Sequence, residues 1–241
     1  MTTPREFADR VVLVTGVGRA GQIGNAVALA FGMAGARIVA CDLNAVGVVE
    51  RVREFAERGI DARPAAGNLT EPDIAALAVE TALRHFGRLD AVINVAGGLT
   101  TYGPFERTTV ADFDREMSIN VKTAFLVSQA AVPALAKSRG TIVNFASIAM
   151  FHPAPNMVAY SAAKGAIVGL TQGLAAELAP QGIRVNAVAP SMVRTADNTA
   201  SAGKDAHYVE MSEITDRILY LAGPASGDIT GQVVPITGAA A

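Results

Sequence analysis

The feature that most restricts this chain is a repeated alternation of short β-branched runs with stretches of helical length. Residues 11–15 form the first run, and helical spacing follows over about 23–34. The pattern recurs as a strand at 38–42 with a charged helix near 46–58, then a weaker strand at 62–66 with a helix over 71–86. A strand at 89–94 precedes a long helical stretch, 110–137, which Asn120 interrupts. A strand at 141–145 and a helix at 158–179, stopped by Pro180 and Gly182, come next. Strands at 183–189 and 233–236 close the series. Strands joined by helices pair in parallel, because a helical crossover brings the chain back to the same edge. Right-handed crossovers then make an α/β doubly wound sheet of about seven parallel strands, flanked by helices on both faces. No linker or repeat divides the chain, so residues 1–241 read as one domain.

Composition narrows the function classes. With 51% apolar residues, much of that alanine, 241 residues suffice for a core between closely packed helices and a sheet. A net charge of −2 leaves no basic stripe for nucleic acid. No apolar run looks long enough to span a membrane, and the first ten residues are polar, without a signal-peptide core. A cytoplasmic, reducing setting is expected. Cys41, the one cysteine, reads as a small buried strand residue. His85, His152 and His207 lie too far apart for ligand spacing, so no metal is expected. The polar segment 195–207 loses all periodicity and reads as a mobile loop, either a plain surface connection or a lid.

The glycine-rich stretch 16–24 follows the first strand and opens a helix, which makes the fold Rossmann-type. Glycines there let backbone approach a dinucleotide pyrophosphate, and the helix N-terminus offers unpaired N–H groups. Asp42 ends the second strand, 26 residues past Gly16. A carboxylate at that point accepts both ribose hydroxyls of NAD and repels the 2′-phosphate of NADP. Capping the next helix is the plainer role, for which Asn44 is equally suited. Arg19 complicates the preference, since a cation in the loop suits a phosphate.

Tyr160 and Lys164 lie four residues apart on one helical face. A phenol with a reference pKa near 10 is a poor base, and a neighbouring ammonium brings it nearer to working range. Ser147 lies just past the strand at 141–145, at the edge where ligands of parallel sheets bind. Asn94, followed by Val95, Ala96 and Gly97, ends another strand on that edge. Taken together these motifs resemble the short-chain dehydrogenase/reductase family over nearly the whole chain. Asn94-Val95-Ala96-Gly97 resembles that family's Asn-Asn-Ala-Gly, and Asn120 its helix asparagine. Ser147 stands thirteen residues before Tyr160, as in the family, and Tyr160-Ser161-Ala162-Ala163-Lys164 resembles its Tyr-x-x-x-Lys. The resemblance implies Asn120, Ser147, Tyr160 and Lys164 as catalytic residues. Tyr160 would be general acid and base, with Lys164 lowering its pKa and holding the nicotinamide ribose. Ser147 would polarise the carbonyl, and Asn120 would support a water linking Lys164 to solvent. Cofactor contacts would come from Gly16, Arg19, Gln22, Ile23, Asp42, Leu43, Asn68, Leu69, Asn94, Ala96, Gly97, Pro190, Val193 and Thr195, besides Tyr160 and Lys164.

The chain departs from the family pattern in places. Gly16 to Gly24 spans eight positions where the family has six, as in its enoyl-reductase branch. That branch separates its Tyr and Lys more widely, so the four-residue offset here points to alcohol/ketone chemistry. The stretch after Pro190-Ser191 is shorter than usual, which implies an abbreviated lid over 191–212 and a more open pocket. Thr237-Gly238-Ala239 replaces the frequent Asp-Gly-Gly. Met150, His152 and Met192, with Ser147 and Tyr160, are the expected substrate-pocket residues. The expected cofactor is NAD, with NADP second. The partners expected are a small-molecule substrate and further copies of the chain, as a tetramer or dimer, with neither nucleic acid nor membrane. The competing reading is a non-catalytic regulatory protein that kept the dinucleotide fold.

Overall fold

Val11–Thr15 (β1) is apolar almost throughout because both faces of a central parallel strand are buried. Val12 and Val14 join the core on one side of the sheet, and Val11 and Leu13 the core on the other. A computed structural model describes residues 6–238; residues 1–5 of the polar opening stretch, and Ala239, lie outside the described residues. The strands after β1 are Arg37–Asp42 (β2), Ala62–Ala66 (β3), Ala91–Asn94 (β4), Thr141–Phe145 (β5), Arg184–Pro190 (β6) and Val233–Ile236 (β7). They form one seven-stranded sheet in the order β3-β2-β1-β4-β5-β6-β7, parallel at every pairing. The sequence order reverses between β1 and β4, which opens a crevice at the carboxyl ends of those two strands.

Helices Ile23–Met33 (α1) and Ala45–Glu57 (α2) cover one face of the sheet, and Pro72–Phe86 (α3) covers the other. The long helical stretch resolves into Val110–Met117 (α4), a π-helical turn at Ser118–Lys122 and Thr123–Ser138 (α5). The interruption expected at Asn120 is therefore real. Wider turns of this kind often mark functional sites. The helical stretch Val110–Ser138, 29 residues with an 18-residue window of mean hydropathy 1.2, is long and apolar enough to cross a bilayer. That differs from the reading of the sequence, which found no such run. Half of its most apolar window is buried inside the fold, as in the core helix of a soluble protein. Val158–Leu178 (α6) packs against α4 and the π turn and covers the same face of the sheet as α5.

Two elements differ from expectation near the carboxyl end. Segment 195–207 is not irregular throughout, because Ala196–Ala202 (α7) is helical. Thr195 caps it by accepting the Asn198 N–H at 3.2 Å, and the buried Tyr208 hydroxyl donates to Asn198 O. A short parallel bridge between Val193 and Val209 closes the base of this segment. Met211–Ala222 (α8), absent from the sequence reading, buries Ile214, Ile218 and Leu221 on the α1 face. Those positions are spaced by four and three, and a Glu210–Glu213 capping box precedes them, so the signal for α8 was present.

Candidate active site

The glycine loop leaves β1 at Gly16, whose φ of 76° suits glycine. A side chain at Gly24 would strike the carbonyl of Gly16, so the loop and the start of α1 pack backbone to backbone. The two additional residues are taken up as an exposed turn at Arg19–Gly21, where the Gln22 N–H donates to Arg19 O at 3.4 Å. This turn carries the Arg19 guanidinium to Asp197 in the first turn of α7, 2.6 Å away. The long loop and α7 therefore meet.

Asp42 sits against this loop. Its Oδ2 accepts the Gly18 N–H at 2.8 Å and its Oδ1 accepts the Asn44 N–H at 2.9 Å. A Cβ at Gly18 would lie 2.8 Å from the Asp42 carboxyl carbon, so this close seating requires glycine. Asn44, not Asp42, caps α2, accepting the Gly47 N–H at 3.0 Å. Each Asp42 oxygen retains a lone pair for a further donor. Cys41, next to it, is fully buried and its thiol is pushed well above the usual range, in keeping with an inert packing residue.

A groove of about 360 Å³ opens beside the loop. Gly16, Arg19, Gln22 and Ile23 line it from the loop, and Asp42 and Leu43 from the end of β2. Asn68 and Leu69 line it after β3, and Ala96 and Gly97 after β4. Its wall also holds Thr70, Val95, Ile119 and Thr123, which the sequence reading missed. Ile119 and Thr123 come from the π turn and its exit, and no local pattern marks which side of a π turn faces a groove. Dimensions, glycine backbone and a carboxylate at one end fit a dinucleotide.

Several expected contacts take other forms. Asn94 is buried and points away from the groove, donating to Ser128 Oγ at 3.0 Å and to Asn144 Oδ1 at 2.8 Å. Its side chain bridges β4, β5 and α5 and does not line the groove. The turn after it is held instead by Thr15, whose hydroxyl accepts the Ala96 N–H at 2.9 Å. The Asn68 carbonyl accepts from the Thr70 hydroxyl at 2.8 Å, and its NH₂ donates to Glu71 at 3.1 Å, so its amide is already engaged. Pro190, Val193 and Thr195 are buried at the exit of β6, outside the lining of this groove.

Ser147 and Lys164 are buried, and the half-buried Tyr160 stands at the start of α6. Lys164 Nζ donates to Phe145 O at 2.9 Å and lies 5.6 Å from the centre of the Tyr160 ring. Burial pushes the phenol above its ordinary value; the neighbouring Ser147 hydroxyl pulls it part of the way back, and the Glu116 carboxylate pushes it further up. The net shift of the phenol is thus upward, set first by burial, while the Lys164 ammonium faces the ring and the Phe145 carbonyl. Burial also brings Lys164 down to about 8, against the opposing charge of Glu116. The Asn120 Oδ1 accepts the Gly98 N–H at 2.9 Å, and its NH₂ donates to Gly98 O and Glu116. Met150 ends a 3-10 turn, Ile148–Met150, that Ser147 caps, and His152 and Met192 lie on loops beyond it and beyond β6, with His152 exposed.

Residues 10–206 match the family model for short chain dehydrogenases. The chain belongs to that family. This short-chain dehydrogenase is an oxidoreductase of alcohols and ketones that works with a nicotinamide dinucleotide. It is 34% identical to the 3-oxoacyl-[acyl-carrier-protein] reductase of Thermotoga maritima, over 95% of this chain and 96% of that one. Among solved structures it resembles a 7α-hydroxysteroid dehydrogenase complexed with NADH and 7-oxo glycochenodeoxycholic acid. The TM-score is 0.89 at 28% identity, over 97% of this chain and 94% of that one. A 3-oxoacyl-[acyl-carrier protein] reductase with bound NAD from Brucella melitensis superposes with a TM-score of 0.87 at 31% identity, over 98% and 92%.

Proposed function

We propose that this short-chain dehydrogenase interconverts a secondary alcohol and a ketone with NAD in preference to NADP, using Tyr160 as general acid and base. The observation that carries the reading is the gathering of Ser147, Tyr160 and Lys164 at the carboxyl edge of the sheet that also forms the groove. A bound nicotinamide supplies or accepts the hydride. In reduction the Tyr160 hydroxyl gives its proton to the substrate oxygen, and in oxidation the phenolate takes it back. The Ser147 hydroxyl donates to the same oxygen and steadies the charge that develops there. The Lys164 ammonium stabilises the phenolate and is the donor for ribose hydroxyls. Asn120 shapes the wall beside Lys164 through Gly98.

Preference for NAD rests on the Asp42 carboxylate lining the groove. Arg19, the cation that could serve a 2′-phosphate, is engaged by Asp197. The substrate class is tested by NADH fluorescence titration followed by turnover on 3-oxoacyl thioesters, ketosteroids and small cyclic ketones. Turnover on at least one class is expected. Tight NADH binding with no turnover on any of them would sink the enzyme reading in favour of a regulatory one.

Self-association through α4, α5 and α6 belongs to the same proposal. Val110, Phe113, Phe125 and Val158 stand exposed on those helices, more apolar surface than a solitary chain usually leaves together. Phe113→Arg with Phe125→Arg should reduce the mass seen by sedimentation to that of one chain. Sedimentation of the unmodified protein as a single chain would refute the idea.

A further inference from the structure

Glu116 has no part in the chemistry above, yet it is fully buried in the last turn of α4, one helical turn before Asn120. Its Oε1 accepts from the Thr100 N–H at 2.6 Å, the Thr100 hydroxyl at 2.8 Å and the Thr101 N–H at 2.8 Å. Its Oε2 accepts from the Asn120 NH₂ at 2.9 Å. Asn120 is oriented by the Gly98 N–H, which fixes its carbonyl as acceptor and leaves only its NH₂ to face Glu116. All four partners are donors, an arrangement matched to an ionised carboxylate, which only accepts. A buried anion needs a compensating charge. Among the described residues no cation lies within ion-pair distance of Glu116.

Lys164 is a cation on which the Glu116 charge acts. It too is buried, on α6, which packs against both α4 and the π turn, and it has no ion pair of its own among the described residues. The other charged groups on these elements face outward. Asp112 pairs with Arg115, and Asp114 and Lys122 are exposed. Tyr160 is the remaining titratable group between them. We propose that Glu116 is a positioning residue for the alcohol–ketone reaction: its carboxylate keeps Lys164 an ammonium and, through Asn120 and Thr100–Thr101, holds the wall of the site beside Tyr160. This rests on the catalytic reading above.

The electrostatic sign agrees. Glu116 raises Lys164 against burial, and Lys164 loses its proton as pH rises through about 8. Without the carboxylate, that loss comes at lower pH. Glu116 also raises Tyr160, so without the carboxylate the phenol gives up its proton at lower pH.

The chain has four lysines, Lys122, Lys137, Lys164 and Lys204, so their side-chain ammonium groups can be followed one by one. Carbon-13-labelled lysine, with Lys164 assigned by Lys164→Met, gives its titration midpoint by NMR without any substrate. In Glu116→Gln the midpoint should fall by about one pH unit. In Glu116→Asp, which keeps the charge, it should stay near that of the unmodified protein. Should Glu116→Gln misfold because its amide faces the Thr100 and Thr101 donors, Glu116→Met removes the charge without that clash. An unchanged midpoint in the folded neutral variant, or an equal fall in Glu116→Asp, overturns the proposal. Turnover gives the second readout: kcat for Glu116→Gln should drop roughly tenfold to a hundredfold, most steeply above neutral pH, with KM changed less. A loss equal at every pH counts against the charge role. Failure of every substrate with the unmodified protein would instead sink the catalytic reading, and the NMR midpoint would still decide the Glu116–Lys164 coupling.

Discussion

Tyr160→Phe lowers turnover by about a thousandfold in both directions, the scale of a lost general acid and base. The phenyl ring keeps its packing and the contact with Lys164 Nζ, 5.6 Å from the ring centre, so only the hydroxyl is lost. NADH binding, read by fluorescence titration, therefore stays close to that of the unmodified protein. The pH profile carries a further signature. Because burial holds the phenol protonated beyond its ordinary range, Tyr160 itself does not limit reduction near neutrality. Reduction by the unmodified enzyme should decline as pH rises through about 8, where Lys164 gives up its proton. The slow residual reaction of the Phe variant should lack that dependence. Full turnover in Tyr160→Phe would remove Tyr160 from the acid–base role.

On the proposed preference for NAD, Asp42→Ala should reverse much of the difference between the two cofactors. Hydrogen bonds to a charged group contribute about 1.5–3 kcal/mol each, so NAD should bind roughly tenfold to a hundredfold more weakly. NADP should bind better, since the carboxylate that repels its phosphate is gone. Asp42 has a second task, because its two oxygens hold the N–H groups of Gly18 and Asn44. Part of the loss in the Ala variant thus comes from a loosened loop. Asp42→Asn separates the two contributions: its carbonyl still accepts one loop N–H while the repulsive charge is absent. Isothermal titration with both cofactors measures this directly. Equal affinity of the unmodified protein for NAD and NADP would refute the assignment.

The alternation of runs and helices in the sequence determined the sheet, its parallel pairing and the place of the glycine loop, because periodicity and helix-length crossovers are local properties. It also placed the break at Asn120 and the Tyr160–Lys164 pair on one helical face. Segment 195–207 was misread as irregular for a local reason: residues 196–202 are small and polar, and what keeps α7 in place is distant, through Tyr208 and Arg19. Asn94 was assigned to the groove by its motif, while its side chain had two outlets at the end of β4. Only the neighbouring Asn144, its register partner on β5, decided that it turns into the core. Glu116 reads in sequence as an ordinary helix acid, among Asp112, Asp114 and Arg115. Tertiary structure alone buries it between the Thr100–Thr101 backbone and Asn120, and sets Lys164 opposite on another helix. The reason is physical: a carboxylate's role depends on which donors and charges surround it, and all of these but Asn120 arrive from segments 15 to 48 residues away that only packing brings together.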